Sequence, residues 1–172
     1  MKLEKEFFQR DCLTVARELV GKILVHKVGD EIYKLRVTET EAYVGESDTA
    51  CHAHKGRTQR TETMYKEGGT VYIYLCYGMH HLLNIVTGNE NEPEAVLIRA
   101  CEKPYDGPGK LTKALKITKD LNGTDVISEN SEIYFESDKE TFDILTAKRV
   151  GIDYASLEDR EKPWRFILQK RN

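Results

Sequence analysis

Two carboxylates, Glu39 and Glu41, stand two residues apart at the end of an otherwise apolar stretch. The stretch has the alternation of a β-strand, in which every second side chain points to the same face. One face is therefore predicted to carry Leu35, Val37, Glu39, Glu41 and Tyr43. Burying a carboxylate is costly unless it is paired or hydrogen-bonded, so a core face does not normally end this way. Two interpretations stay open: a strand that runs into a pocket with acid or base groups, or one that emerges into water.

Paired carboxylates are also the catalytic groups of glycoside hydrolases. Those enzymes hold the two groups about 5 Å or about 6.5–9.5 Å apart, on either side of the bond that is cleaved. Neighbours on one strand face project in parallel, which makes it awkward for Glu39 and Glu41 to flank one bond. This alternative therefore ranks low.

A second chemical pattern is the run of tyrosines at residues 70–77. Tyr72 and Tyr74 share one predicted strand face, opposite an aliphatic one, and Tyr77-Gly78 follows at a predicted turn. A tyrosine face suits a surface where flat rings meet a ligand, although a cross-strand aromatic ladder would give the same pattern. An exposed Tyr77 at a hairpin tip has no core to fill, and it suits a wedge between base pairs.

Cations near these groups favour contacts with an anion. Between residues 52 and 66 only Glu62 opposes four cations, which are Lys55, Arg57, Arg60 and Lys66. Such a stretch suits phosphate contacts, and a solvated loop is the alternative. Arg99 interrupts an apolar strand at residues 95–100, where Glu39 or Glu41 would be a natural partner and an edge position in solvent the alternative.

Periodicity and turn residues predict the elements that position these groups. Asp11 caps a helix that Gly21 ends, and Gly107-Pro108-Gly109 introduces a second helix over residues 110–118. Residues 45–69 are predicted as a long loop. Strands are predicted at residues 23–26, 32–43, 70–77, 82–87, 95–101, 133–135 and 164–168. We therefore predict a single α+β domain over residues 1–172 with a mostly antiparallel sheet.

Composition sets the class of protein. The 172 residues are 40% hydrophobic and 32% charged, as in a soluble globular domain. A net charge of −3 argues against wholesale electrostatic binding of nucleic acid but leaves room for a local basic face. No apolar run approaches the roughly 20 residues of a membrane helix, and the charged start does not resemble a secretory signal. Four scattered cysteines lack zinc spacing, so no metal site is expected.

Taken together, the segments resemble the alkyladenine (3-methyladenine) DNA glycosylase family of the human and bacterial type. The resemblance covers nearly the whole chain in order. The segments that carry it are Glu39-Thr40-Glu41-Ala42-Tyr43, His52, Tyr72-x-Tyr74-x-x-Tyr77-Gly78-Met79, Asn84, Val96-Leu97-Ile98-Arg99-Ala100, Gly107-Pro108-Gly109-Lys110-Leu111, Arg149-Val150-Gly151 and Pro163-Trp164-Arg165-Phe166. The chain differs at His80 and His81, where better-known members carry other, often aromatic, residues.

The resemblance implies a monofunctional enzyme of base-excision repair. It would flip alkylated or deaminated purines, such as 3-methyladenine, 7-methylguanine and hypoxanthine, out of double-stranded DNA and hydrolyse the N-glycosidic bond with an activated water. Glu41 matches the carboxylate that deprotonates this water, and Arg99 matches the arginine that helps to hold it. Glu39 is then expected to be structural or to support the residues that contact the substrate. The implied fold is a curved antiparallel sheet flanked by short helices, with a protruding β-hairpin that inserts into DNA.

The resemblance also assigns the groups that bind the damaged base. Tyr43, His52 and Tyr74 match the groups that enclose the extruded base, and Tyr77 matches the side chain that fills the hole left in the duplex. Asn84 matches the residue that crowds the 2-amino group of guanine. Contacts to the DNA backbone are expected from Lys55, Arg57, Arg60 and Lys110.

No lysine lies in the motif segments assigned to the pocket, so we predict water rather than an amine as nucleophile, and no strand cleavage. No cofactor is expected. The expected protein is a monomer in the cytoplasm, at the nucleoid in a bacterium, or in the nucleus of a eukaryote. Two other classes stay open, a non-catalytic module for modified nucleic acid and a hydrolase of free nucleosides. Base release from alkylated DNA would exclude the first, and activity on free nucleosides would favour the second.

Overall fold

A long second strand organises the sheet. The structure, a computed structural model, describes residues 1–169, and in them eight strands form one antiparallel sheet. The strands are β1 Ile23–Val28, β2 Glu31–Val44, β3 Val71–Cys76, β4 His80–Thr87, β5 Glu94–Cys101, β6 Ile133–Glu136, β7 Asp143–Ala147 and β8 Arg165–Gln169. Six of them lie in the order β3-β4-β5-β2-β1-β6, while β8 pairs with both β2 and β7. The first half of β2 pairs with β1, and its second half lies between β5 and β8.

Short helices accompany the sheet in the described residues. They are α1 Lys5–Phe8, α2 Cys12–Leu19, α3 Pro108–Ala114 and α4 Leu157–Glu161. The carboxylate of Asp11 accepts a hydrogen bond of 3.0 Å from the Thr14 amide, which satisfies one of the free N–H groups at the start of α2. In residues 1–169 no helix is long and apolar enough to cross a membrane. The predicted α+β fold, with a curved antiparallel sheet and short helices, is confirmed, except that the three final residues of the predicted domain lie outside the described part.

Several element boundaries differ from the sequence prediction. The second predicted helix, over residues 110–118, ends instead at Ala114, because Lys116 adopts a left-handed conformation with φ of 55° that no helix continues through. The predicted long loop contains three short 3₁₀ helices, Gly45–Ser47, His52–Lys55 and Glu62–Tyr65. Strand β7 and helix α4 were not predicted. Strand β7 is largely exposed at the sheet edge and therefore lacks the apolar alternation that marks a buried strand.

The faces of β2 do not follow a simple alternation. Pairing with β5 is irregular between Val37 and Thr40, which pair with Cys101 and Ile98. As a result Val37, Thr40 and Ala42 are all fully buried on the core side, where the Thr40 hydroxyl donates a 2.6 Å hydrogen bond to a carbonyl of α2. The prediction that Val37 and Glu41 share one face is therefore wrong. An irregularity of this kind is a β-bulge, which re-aims the side chains that follow it.

The two carboxylates of β2 consequently have different surroundings. Glu41 is fully buried and lines a cavity, whereas Glu39 is half-buried and lies outside that cavity. One oxygen of Glu39 lies 3.3 Å from the Arg165 guanidinium of β8. The two alternatives left open by the sequence thus apply to different residues: Glu41 lies in a pocket, and Glu39 forms an ion pair at the side of the sheet.

Candidate active site

A cavity of about 660 Å³ opens at one side of the sheet. This volume lies in the range of small-molecule and cofactor pockets. Its walls come from β2 to β5, the loop before β3, the start of α3 and residues 150–154. The predicted site residues that line it are Glu41, Tyr43, His52, Arg60, Tyr74, Tyr77, Asn84, Arg99 and Lys110. Two predicted contacts, Lys55 and Arg57, lie outside the lining.

The Glu41 carboxylate is held from three directions. The Tyr43 hydroxyl donates a hydrogen bond of 2.9 Å to Oε1, and the backbone N–H of Val150 donates one of 2.7 Å to Oε2. The Arg99 guanidinium of β5 lies 3.6 Å from Oε1 and is about one-fifth exposed. The structure thus selects Glu41 over Glu39 as the partner of Arg99. A buried carboxylate with these partners is satisfied and fixed in orientation.

Burial and nearby donors act in opposite directions on Glu41. Burial raises the pKa of the carboxyl above its ordinary value, and Arg99, the Val150 N–H, the Tyr43 hydroxyl and Arg149 offset part of that rise. Burial also raises the pKa of Tyr43 well above its ordinary value, so the phenol keeps its proton and can donate to Glu41. Such an environment makes the ionised form of Glu41 a stronger base than an exposed carboxylate.

Aromatic rings form the wall of the cavity next to Glu41. The His52 ring packs edge-on against Tyr74, with centroids 4.4 Å apart, and its Nδ1 lies 3.0 Å from the Tyr72 hydroxyl. The Tyr72 and Tyr74 rings lie 5.8 Å apart. Tyr43 also packs against this cluster. The predicted tyrosine face therefore faces a cavity rather than forming an exposed ladder, and its rings can stack on a flat ligand.

The His52 imidazole is neutral at physiological pH. Burial lowers its pKa from the ordinary 6.5 to about 4, and the nearby cations Arg60 and Lys55 lower it further. Between these two pH values the unfolded chain binds a proton at His52 while the folded chain does not. The contribution of His52 to stability is therefore full above pH 6.5 and is lost as the pH falls towards 4.

This predicts the titration of one assigned signal. In an NMR titration the imidazole protons of His52, assigned by their loss in His52→Gln, should show a midpoint near 4. The slope of stability against pH between pH 4 and 6.5 should also be shallower in His52→Gln than in the parent protein. A midpoint close to the ordinary value would contradict the buried, neutral imidazole.

Asn84 lies deep in the cavity. It is buried on β4, where it pairs across the sheet with Tyr72 and Leu97, which also line the cavity. Its amide nitrogen lies 3.3 Å from the Leu82 carbonyl of its own strand. The side chain is thus held in one orientation at the wall, where it limits the shape of any flat ligand.

The hairpin between β3 and β4 ends in an exposed tyrosine. Tyr77 is 93% exposed and has φ of 52°, and Gly78 follows with φ of 67°. The Met79 amide donates a 3.1 Å hydrogen bond to the Cys76 carbonyl, which closes a turn of the type with two left-handed central residues. A bulky residue at positive φ is strained, and Asn or Gly is usual there. A large, exposed side chain on a strained backbone position points to a functional constraint.

The predicted phosphate contacts fall into two groups. Arg60 and Lys110 are exposed at the cavity, Lys110 with an Asp106 oxygen 3.5 Å away. Arg57 is exposed as well, but it makes a two-pronged ion pair of 2.7 and 2.8 Å with Glu62. That pair already occupies its guanidinium. Lys55 is exposed in the 3₁₀ helix that carries His52.

Lys110 was expected only as a contact to the DNA backbone, and several other cavity residues had no expected role. Lys110 contributes to the wall, so the argument that the pocket has no lysine is wrong. His80 packs so closely on α3 that a Cβ on Gly109 would lie 2.8 Å from its Nδ1. Tyr154 is two-thirds exposed at the cavity, with its hydroxyl 2.7 Å from the Ala50 carbonyl. The Val150 N–H could not be found from sequence, because a backbone donor has no residue-type signal.

Comparisons with known proteins agree on one family. The sequence model of the family described as methylpurine-DNA glycosylase (MPG) matches residues 6–105 and 103–172. A protein of Natranaerobius thermophilus named "Putative 3-methyladenine DNA glycosylase" is 44% identical over 192 residues, covering 98% of this chain and 96% of its own. Proteins of the same name from Desulfitobacterium hafniense and Borreliella afzelii are 44% and 42% identical over 196 and 178 residues. They cover 98% and 97% of this chain and 95% and 96% of their own.

Proposed function

The chain belongs to the methylpurine-DNA glycosylase family, and on that premise we propose that it is a monofunctional DNA glycosylase that excises damaged purines from duplex DNA. The resemblance noted in the sequence is thereby confirmed at the level of the family. The observation that carries the proposal is the buried carboxylate of Glu41, which Tyr43, Val150 and Arg99 contact and which lies beside a cage of aromatic rings.

Glu41 activates the attacking water. Cleavage of an N-glycosidic bond develops positive charge on the sugar, so a carboxylate helps twice, as the base for water and as a counter-charge. The raised pKa of Glu41 strengthens it as a base, and Arg99, 3.6 Å from the same carboxylate, is placed to hold a water beside it. No metal or organic cofactor takes part in this step.

The aromatic cage holds the extruded base. Tyr43, His52 and Tyr74 supply rings for stacking, and alkylated purines such as 3-methyladenine and 7-methylguanine carry positive charge that ring faces attract. The neutral form of His52 supports this role, because an imidazolium would repel a cationic base. Asn84 crowds the 2-amino group of guanine and so disfavours the normal base.

The hairpin tip supplies the wedge. Extruding a nucleotide costs a few kcal/mol of pairing and stacking, and a side chain that fills the gap recovers part of that cost. Tyr77 is exposed at the end of the strand that carries Tyr72 and Tyr74, so one hairpin both fills the duplex and binds the base. Arg60, Lys110 and Lys55 then contact the DNA backbone, and the enzyme acts as a monomer.

One assay tests the proposal directly. Duplexes that each carry a single 3-methyladenine, 7-methylguanine, hypoxanthine or ethenoadenine are incubated with the protein, and abasic sites are revealed by heat and alkali. We expect strand cleavage after alkali at one or more of the lesions and none in the undamaged duplex. We also expect no release of the base from free nucleosides. Binding of lesion DNA without abasic sites would reject the glycosylase in favour of a binding module.

The same reaction distinguishes water from an amine as nucleophile. An amine would form an imine with the sugar, which borohydride traps as a covalent protein–DNA adduct, and it would nick the strand before alkali. We expect neither adduct nor nick, although Lys110 lies at the cavity. An adduct together with a nick would show an amine nucleophile and a bifunctional enzyme, and loss of the adduct in Lys110→Ala would identify Lys110 as that amine.

A further inference from the structure

A fully buried ion pair lies behind the cavity wall. The side chains of Arg149 and Asp48 are both 0% exposed and meet through two contacts of 2.6 and 3.0 Å. Arg149 does not line the cavity and has no part in the mechanism proposed above. Burying two charges costs several kcal/mol per ion, and such pairs add little stability compared with apolar packing. The pair therefore calls for a reason other than stability.

The pair is attached to the strand end that carries the site. Nη1 of Arg149 also donates a 3.0 Å hydrogen bond to the carbonyl of Ala42, the residue between Glu41 and Tyr43. Its guanidinium lies between the rings of Tyr43 and Trp164, 5.0 and 4.9 Å from their centroids. Asp48 in turn accepts a 2.9 Å hydrogen bond from the Val44 amide. Both partners thus hold the C-terminal end of β2 in place.

Arg149 also fixes the residue that follows it. The Val150 N–H donates the 2.7 Å hydrogen bond to Oε2 of Glu41, and this N–H belongs to the peptide unit that joins Val150 to Arg149. Arg149 is anchored by Asp48, by Ala42 and by the carbonyl of Asp159 at 3.2 Å. The anchored Arg149 side chain therefore positions the Glu41 carboxylate in two ways. It holds Ala42, the next residue of the same strand, and it holds the Val150 N–H, a donor 109 residues away in the chain.

Building on the proposed glycosylase function, we propose that Arg149, held by Asp48, is a positioning residue that orients the Glu41 carboxylate towards the attacking water. It does so through the Ala42 carbonyl and the Val150 N–H, and it does not touch the substrate. A 1 Å displacement of a catalytic group costs about 100-fold in rate, so the loss of these contacts slows excision much more than it weakens binding.

The charges around Glu41 set the sign of a second effect. The groups that face it are Arg99 from β5, Tyr43 from its own strand, Tyr74 from β3, and Arg149 and Tyr154 from the segment after β7. Burial raises the pKa of Glu41, and both the Val150 N–H and Arg149 counteract the rise. Loss of the anchored N–H therefore raises the pKa further. Because the ionised form is the base, the acid side of the pH–rate profile moves to higher pH.

The test compares variants at two ion pairs that lie beside the second half of β2. Single-turnover release of methylated purines from DNA treated with dimethyl sulfate is measured against pH for the parent protein, Arg149→Lys and Arg165→Gln. We expect Arg149→Lys, which keeps the charge but loses the fork of hydrogen bonds, to slow release about 100-fold. Its acid limb should shift upward, while its Kd for a duplex with a tetrahydrofuran abasic analogue changes far less than its rate. Arg165→Gln removes the pair with Glu39 and a 2.8 Å hydrogen bond to the Lys148 carbonyl. It leaves the contacts of Arg149 with Asp48 and Ala42 intact, so it should behave as the parent.

Each remaining outcome decides the matter. A folded Arg149→Lys with the parent rate and acid limb would overturn the proposal, as would equal losses of rate and binding with an unmoved limb. If thermal melting shows that Arg149→Lys does not fold, Trp164→Phe trims the ring that packs on Arg149 and should move the limb in the same direction, and an unmoved limb there would overturn it. If the parent protein itself releases no base, the proposed function fails and this inference fails with it.

Discussion

Replacing Glu41 with glutamine is expected to reduce the single-turnover rate of base release by about 10²–10⁴-fold, the usual contribution of a general base. Glutamine has nearly the same shape, and its carbonyl oxygen can still accept from the Val150 N–H. Its NH₂ group then faces the Tyr43 hydroxyl, which can rotate to accept a hydrogen bond instead of donating one. The fold and the binding of lesion DNA should persist. Release is measured under single-turnover conditions, and binding by the Kd for a duplex with the tetrahydrofuran analogue.

Glu39→Gln provides a matched control for this experiment. It makes the same chemical change two residues along the same strand, but Glu39 faces Arg165 and lies outside the cavity. We expect parent-like release from this variant. Near-parent release by Glu41→Gln, or equal losses in both variants, would contradict the assignment of Glu41 as the base. In the parent protein, the raised pKa of Glu41 predicts that release falls as the pH drops through a value above that of an ordinary glutamate.

Replacing Tyr77 with glycine is expected to weaken the binding of lesion DNA without lowering the thermal stability of the protein. Stacking of an aromatic side chain on a base contributes about 1–3 kcal/mol, so the Kd for lesion duplex should rise by about 5- to 150-fold. The same change relieves a left-handed backbone conformation at φ of 52°, which costs a bulky residue about 1–3 kcal/mol. Part of that relief is offset by the greater flexibility of glycine in the unfolded chain. The variant should therefore be at least as stable as the parent protein in thermal unfolding while it excises more slowly.

Ile32→Ala is the matched control for the tip. Ile32 is another exposed apolar side chain at a hairpin, 58% exposed beside the β1–β2 turn, and it lies outside the cavity lining. Its loss should change neither affinity nor release. Unchanged affinity of Tyr77→Gly for lesion duplex, or a marked loss of stability, would contradict the wedge, because both would mean that the tyrosine serves the fold rather than the DNA.

Local signals in the sequence predicted much of the fold and the types of residue at the site. Asp11 caps α2 as expected, and the alternation of Tyr72 and Tyr74 correctly predicted a face separate from the core. Both features depend on neighbours in the chain, which a sequence displays directly. The spacing of Glu41 and Tyr43 likewise predicted that they share a face, and both line the cavity.

Features that depend on distant pairing were not predictable. The irregularity between Val37 and Thr40 arises from the register of β2 against β5, and it reverses which side chains of β2 face the core. Val150 and Lys110 reach the cavity because segments far along the chain fold over the sheet. Neither position stands out by residue type. Only the resemblance to a family pointed to these segments, and it assigned no role to Val150.

The order in which the chain is synthesised has a consequence for when this protein becomes able to act. The cavity rings and the base come from residues 41–99, whereas the donor to Glu41 and the strand that pairs with β2 beside it come from residues 150–169. A ribosome-bound chain that has emerged only as far as β6 would contain Glu41 without the hydrogen bond from Val150 and without the pairing of β8. Domains tend to fold as units, so competence for base excision is expected only once residues 150–169 have left the ribosome, and not in nascent chains that end before them.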